Sequence, residues 1–420
     1  MNIKEKIAAA NQKAAETIIN SDPYWIDIKP AIECVDGMED HMILHSGPPI
    51  TYNEMVELHK RGMRNAALME GWAKTDAEAD EILSSGEIKL ESALDHNTVG
   101  AGTGIITKSL PMMVTEDRAT GKTSANLTME GDCEGGFAGW GRFSPEIRDN
   151  LKYLREEVYP YIGEMLRKRG GVSTKPILAE GLQMGDEHHT RQDAAGIILL
   201  QKVATDIAKM RFDSDTMEKV MHYMADTPRI FHPIGMGACR SAMLSNVGLE
   251  HSTIITAMGG NGVEFGIKVA GLGDQWFTAP APKLKSSFTS SKYSEDDSLP
   301  WMGDSCIVEC AGVGGLAAAS SPIVVLLRGQ KLRDGINQTK EMSKICVTKN
   351  HNFPIPNMDF DFLPLGLDIR LILKTGILPV MHGGNFHHNG GLIGAGTGCV
   401  PMECVEKAFL AFAEKYKDEV

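Results

Sequence analysis

The densest run of ionisable side chains in the sequence is Leu182-Gln-Met-Gly-Asp-Glu-His-His-Thr-Arg191. On a helix, Asp186 and His189 would share a face, and so would Glu187 and Arg191. A carboxylate that orients an imidazole raises its basicity and suits it to proton transfer. Arg191 offers a planar fork for a carboxylate or phosphate. The competing reading is a helix start whose acids meet the dipole and form a surface ion pair. No HExxH or similar ligand spacing accompanies the cluster, so no metal is expected.

Three more segments carry candidate chemistry. In Met258–Pro282, Asn261, Glu264 and Asp274 stand among glycines around the alternation Phe265, Ile267, Val269. That pattern reads as a strand between tight turns, bringing backbone and polar groups close to a small ligand. Asn261 is a candidate oxyanion donor; Glu264 and Asp274 are candidate catalytic carboxylates. The run Glu309-Cys-Ala-Gly312-Val-Gly314-Gly315 follows the apolar Cys306-Ile-Val308, read as a strand. It fits a loose dinucleotide loop, but Pro322 stops the following helix too early, so no dinucleotide or other cofactor is expected. The amides of Gly312, Gly314 and Gly315 remain candidates for cradling an anion, against a close-packed glycine crossing. In Gly376–Cys399, a strand Ile377–Met381 delivers His382 into a long glycine-rich loop that also holds His387 and His388. Such a loop is costly to order unless it wraps a ligand or partner. His382 is a candidate acid–base group and His387 a candidate anion donor; an idle surface loop is the alternative.

Other signals are weaker. Gly121-Lys-Thr lacks the first glycine of a phosphate loop, and His232-Pro233 carries little by itself. Gly-Ala-Gly-Thr-Gly occurs at 100–104 and again at 394–398. It is read as two similar turns, with a paired site as the minority alternative.

Local signals define the elements that must position these groups. Lys4–Ile19 is an amphipathic helix. Thr51-Tyr-Asn-Glu54 and Thr75-Asp-Ala-Glu78 are capping-box patterns for helices ending near Gly71 and Gly86. Ser144-Pro145 starts a helix with Ile147, Leu151, Leu154 and Val158 on one face, and further helices follow to about residue 224. Strands are expected at Met42–Leu44, Met112–Thr115, Ile254–Ile255, Phe265–Val269, Ile307–Val308 and Ile323–Leu327, and a closing helix from Pro401. The fold class is α+β: a mixed-sheet domain at 1–143, a small all-helical domain at 144–233, and a mixed-sheet domain with glycine-rich loops at 234–420. The 420 residues are 42% apolar with a net charge of −13, which disfavours a nucleic-acid surface. Eight cysteines without a CxxC, no signal-like N-terminus and no long apolar run point to a cytoplasmic, reduced protein without a membrane span.

Taken together, His45-Ser-Gly-Pro-Pro-Ile50, Met69-Glu-Gly-Trp72, Met184-Gly-Asp-Glu187 with Arg191, Asn261-Gly-Val-Glu-Phe-Gly-Ile267, Gly271-Leu-Gly-Asp-Gln-Trp-Phe277, Gly303-Asp-Ser305 and Gly376-Ile-Leu-Pro-Val380 resemble the YlbE/YahG-like family over nearly the whole chain. That family includes a subunit of oxamate carbamoyltransferase. The resemblance implies oligomeric assembly with an FdrA-like partner and a third small subunit. It also implies transfer between oxalurate plus phosphate and oxamate plus carbamoyl phosphate. The small anionic ligands would then be carbamoyl phosphate or phosphate and an oxamate-like acid. His188-His-Thr-Arg-Gln192 departs from the Cys-His-Asn-Arg-Asn expected of the family, and the Ser-Thr-Arg-Thr-Arg phosphate loop of aspartate and ornithine carbamoyltransferases is absent. On the implied chemistry, Arg191 clamps a carboxylate, Asn261 and His382 stabilise the carbamoyl oxygen, and Asp186 with His189, or Glu264, moves the proton on the ureido nitrogen. A non-catalytic scaffold or regulatory subunit is the alternative.

Overall fold

Helix ends follow local chemistry. Thr75 accepts the Glu78 amide at 3.2 Å to start Asp76–Ser85, and Gly86 ends that helix at φ +81°. Ser144 accepts the Ile147 amide at 3.2 Å, with Pro145 in the first turn of Pro145–Glu157. The Thr51–Glu54 box closes only a 3-10 turn, Tyr52–Glu54, and the helix proper is Glu57–Met69. The computed structural model describes residues 2–130, 137–142, 144–227 and 229–419.

The strands assemble into several small mixed sheets alongside the helices, an α+β architecture. One sheet of five strands runs in the order Thr98–Val99, Lys122–Leu127, Pro111–Asp117, Pro23–Pro30, Val172–Ser173. Its last strand comes from the otherwise helical stretch and pairs with Tyr24 and Trp25. An antiparallel sheet of four strands orders Phe277–Pro280, Glu264–Val269, Ile255–Asn261 and Met302–Gly303. A third sheet joins Lys285–Phe288, Leu392–Cys399 and Val380–Phe386.

The helix Phe231–Leu244 ties these layers together. Nearly every residue of it is buried, and it packs on Pro23–Pro30, Pro111–Asp117 and Lys122–Leu127 on one side and on Ile307–Cys310 on another. A helix that is apolar and small all round is a core helix. Gly237 lets it meet the sheet closely, since a Cβ there would stand 2.8 Å from Thr115 Oγ1. One apolar core runs from Ile18 and Trp25 through Leu154 and Val203 to Ile255, Leu365 and Val405.

Three expectations change. Ile307–Cys310 and Pro322–Leu327 are short helices rather than strands. Short apolar runs fit either state, and Pro322 at the first turn selects helix. The glycine-rich stretch after Gly376 is a β-hairpin rather than a loop, with His382 inside the strand opposite Thr397. Its glycines admit a neighbour: a Cβ on Gly383 would lie 2.9 Å from the Trp301 ring. Among the described residues, no helix is long and apolar enough to cross a membrane.

Candidate functional site

A cavity of about 270 Å³ opens where three parts of the chain meet. Its walls come from 101–102, 126–130 and 139–140, from 189–190 and 229–236, and from 289–305 and 383–395. Most of the lining is apolar or glycine, including Met129, Trp140, Met236 and Trp301; among the described residues the ionisable groups at it are Glu130, His189, Arg229 and His232. Both Gly-Ala-Gly-Thr-Gly copies reach it, through Ala101 and Gly102 and through Gly394 and Ala395. They do so in different conformations: the first is a turn with Gly102 and Gly104 at positive φ, and the second is strand.

His189 is placed by a turn that folds around a carboxylate. No helix spans 184–192. Instead Glu187 accepts the amides of His189 at 2.8 Å, Thr190, and Arg191 at 3.1 Å, with His188 at φ +67°. His189 Nδ1 then lies 2.8 and 3.0 Å from the two Glu309 oxygens, and Nε2 lies 2.8 Å from Ser305 Oγ. Glu309 also accepts the Gly315 amide at 2.9 Å and the His382 amide at 3.0 Å. Burial pushes the Glu309 carboxyl up, and the His189 ring and the two amides oppose that shift. With Glu309 as the acceptor at Nδ1, the tautomer protonated on that nitrogen offers the Nε2 lone pair to the Ser305 hydroxyl.

Behind this line lies a second buried cluster. Arg328 donates to His382 Nε2, to Thr190 Oγ1 at 3.2 Å and to the Gly396 carbonyl at 3.3 Å. His382 Nδ1 faces Glu187 at 3.8 Å. Burial alone would raise Glu187; His382, then His189 and Arg328, outweigh it and hold the carboxyl well below the usual range. Burial, and then Arg328, lowers His382 to about 4, so its ring is neutral. His232 is lowered to about 3 by burial and by His189, and its buried Nε2 has no hydrogen-bond partner among the described residues.

A family model described as oxamate carbamoyltransferase subunit AllG matches residues 88–305. The oxamate carbamoyltransferase subunit AllG of Escherichia coli (strain K12) is 34% identical over 413 residues, covering 97% of this chain and 98% of that one. The chain belongs to the AllG family. The uncharacterized protein YahG of the same strain is 34% identical over 416 residues, covering 99% of this chain and 88% of YahG. A crystal structure of a conserved protein of unknown function from Enterococcus faecalis V583 superposes with a TM-score of 0.93 at 32% identity, over 98% of this chain and 99% of that one.

In this AllG-family chain, the residues singled out from sequence separate into those at or directly behind the cavity and those elsewhere. His189 lines the cavity, and His382 stands behind it. Asp186 points away from His189: it accepts the Ala195 amide at 2.8 Å and faces Arg191 at 3.2 Å, a start for the helix Asp193–Lys209. Arg191 is held between Asp186 and Asp193. The assumed spacing on one helical face fails because the backbone turns at Gly185 and His188, both at positive φ.

Gly312, Gly314 and Gly315 do form a cradle at two of their amides, but the Glu309 carboxylate and the Glu187 carbonyl fill it. Gly314 is at φ +64°, and a Cβ there would stand 2.2 Å from Glu309 Oε1. Gly312 is backed by the Pro364 carbonyl. Asn261 is spent on scaffolding: it accepts the amides of Val263 and Glu264 and donates to the Pro48 carbonyl. Glu264 meets Thr278 at 3.1 Å, and Asp274 stands exposed 3.6 Å from the buried Lys268. Neither lines the cavity. His387 lies with Asp297 and His388 in a cluster of metal-ligand spacing. Its Nδ1 accepts the Asn389 amide at 2.9 Å, which leaves the ring proton on Nε2 facing Asp297 and describes a hydrogen-bonded turn.

Ser305, Glu309, Arg229 and His232 were not singled out as site residues from sequence. Ser305 stood only inside a family motif and Glu309 only at the head of a glycine run. Nothing local marks Arg229 or His232; their placement depends on the buried helix that begins at Phe231.

Proposed function

We propose that this chain is a subunit of a carbamoyltransferase acting on a small ureido acid, oxalurate or a close analogue, with phosphate as the other substrate and an FdrA-like protein as partner. The observation that carries the reading is the cavity itself, which brings the Arg229 guanidinium, two imidazoles and a hydroxyl, with the Glu130 carboxylate also on the wall, to a small, mostly apolar chamber. In a chain with net charge −13, a small anion needs such a local cation. A chamber of about 270 Å³ suits a metabolite of a few heavy atoms better than a nucleotide. Arg229 is the proposed clamp for the carboxylate or phosphate, held in the left-handed region at φ +55°. His232 offers a neutral ring nitrogen to the ureido or amide group. Further support comes from kinship with a protein named as a subunit of oxamate carbamoyltransferase.

The test combines binding with turnover. Phosphate, oxamate and oxalurate are each added to the isolated chain, and the complex with its FdrA-like and third subunits is assayed for carbamoyl phosphate formed from oxalurate and phosphate. A ligand that binds the native state raises the melting temperature. No shift with any of the three, together with no carbamoyl phosphate from the complex, removes the reading.

A further inference from the structure

We propose that Ser305 is a covalent nucleophile, activated by His189 and oriented through Glu309, so that the carbamoyl group passes through an ester on this chain. The proposal rests on the reading of the cavity as a ureido-acid site. The three groups form a directed line. Ser305 and His189 line the chamber, while Glu309 is fully buried and lies off it. Hydroxyl to Nε2 is 2.8 Å, and Nδ1 to carboxylate is 2.8 and 3.0 Å. These are the contacts by which a base takes a hydroxyl proton while an acid fixes its tautomer. A merely structural network would close on itself away from the void; this one ends on a hydroxyl at the cavity wall.

The surroundings fix each member in place. Ser305 follows a turn whose Asp304 carboxylate accepts the Gly47 amide at 2.7 Å and the Gly100 amide at 3.0 Å. The Asp304 amide donates to Gly100 at 2.9 Å, and Trp301 Nε1 donates to the Gly303 carbonyl at 3.0 Å. The Trp301 ring sits edge-on to His189 with centroids 6.1 Å apart. Glu309 is anchored by the amides of Gly315 and His382, so it orients the imidazole as a positioning residue. Such support is what holds a reactive geometry before substrate arrives.

The chemistry balances. Ser305 Oγ attacks the carbamoyl carbon of the ureido acid as its proton moves to His189 Nε2. The bond from that carbon to the ureido nitrogen breaks, and His189 returns the proton to the departing nitrogen, releasing the amide acid. Phosphate then attacks the serine carbamate, giving its proton through His189 to Ser305 Oγ as the carbon–serine bond breaks and carbamoyl phosphate leaves. No oxidant or further reactant is required. A carbamate carbonyl, softened by its nitrogen lone pair, gives up its group to water slowly, which leaves phosphate time to react.

The experiment uses the reconstituted complex with oxalurate, and the isolated chain with an aryl carbamate and a fluorophosphonate. With oxalurate and no phosphate, the peptide containing Ser305 should gain one carbamoyl group, and added phosphate should discharge it. Ser305→Ala should lower turnover by about 10³-fold or more without moving the melting temperature. Glu309→Gln should lower kcat by about 10²–10⁴-fold while leaving KM nearly unchanged. A complex that turns over oxalurate while Ser305→Ala keeps its rate within about tenfold overturns the nucleophile and leaves the functional reading standing. A wild-type complex that makes no carbamoyl phosphate sinks the functional reading instead. The nucleophile is then decided on the isolated chain: probe labelling at Ser305 that is lost in His189→Gln supports it, and absent or unchanged labelling overturns it.

Discussion

Gly314→Ala tests whether the glycine cradle exists to hold Glu309. The new Cβ would sit 2.2 Å from Glu309 Oε1, against an ordinary carbon contact of about 3.5 Å or more. The backbone at φ +64° adds a left-handed penalty of about 1–2 kcal/mol. Forcing the carboxylate aside in a packed interior adds about 1–3 kcal/mol, and the lower entropy of the unfolded chain returns about 0.4–1 kcal/mol. The expected net loss is therefore roughly 1–4.5 kcal/mol in urea unfolding. Gly86→Ala separates the two contributions, because Gly86 is also left-handed, at φ +81°, but has nothing within 4 Å of its added Cβ. With the same unfolded-chain return it should lose only about 0–1.5 kcal/mol. Displacing Glu309 also unseats His189, so the aryl carbamate labelling of Ser305 should slow by about 10²-fold in Gly314→Ala and stay unchanged in Gly86→Ala. Equal stability losses in the two variants, with labelling intact in both, would refute the reasoning.

The remaining predictions concern charge and the turn before Ser305. Arg229→Gln should weaken phosphate or oxamate binding by about 10- to 100-fold, the worth of one charge-assisted hydrogen bond; unchanged midpoints in a titration would remove Arg229 as the clamp. His232 has its folded value lowered to about 3 from 6.5, by burial, then His189 and Arg229, with Glu187 opposing. The unfolded chain therefore takes this proton first, and the stability it carries is present above pH 6.5 and lost as pH falls toward 3. The difference in unfolding free energy between wild type and His232→Asn should shrink by roughly 1.6 kcal/mol between pH 6.5 and pH 5, and a pH-independent difference would contradict the assignment. Asp304→Ala leaves the buried amides of Gly47 and Gly100 without their carboxylate. It should cost roughly 2–6 kcal/mol in denaturant unfolding, and a loss below about 1 kcal/mol would show that water or a backbone shift replaces it.

The sequence by itself determined what neighbouring residues can decide. Caps act over three or four residues, so Thr75 with Gly86 and Ser144 with Pro145 marked their helices closely. Period-two apolar spacing did the same for Glu264–Val269, and the family motifs carried the kinship. His189 was legible as a candidate because its run is dense in ionisable groups, and the fold sets it at the cavity wall. Its partner was not: Glu309 and Ser305 lie more than a hundred residues further along the chain, and the nearer Asp186 was taken by the amide of a helix start. The runs 307–310 and 322–327 fit strand or helix equally until packing chose. The role of the glycines was likewise tertiary. A glycine-rich segment states only that something must come close; the fold decided that Glu309 fills the Gly314–Gly315 cradle and that Trp301 lies on Gly383. Local free energy fixes an element, whereas a site is made by contacts between elements, and that information enters only when the buried helix Phe231–Leu244 and the third sheet close on one another.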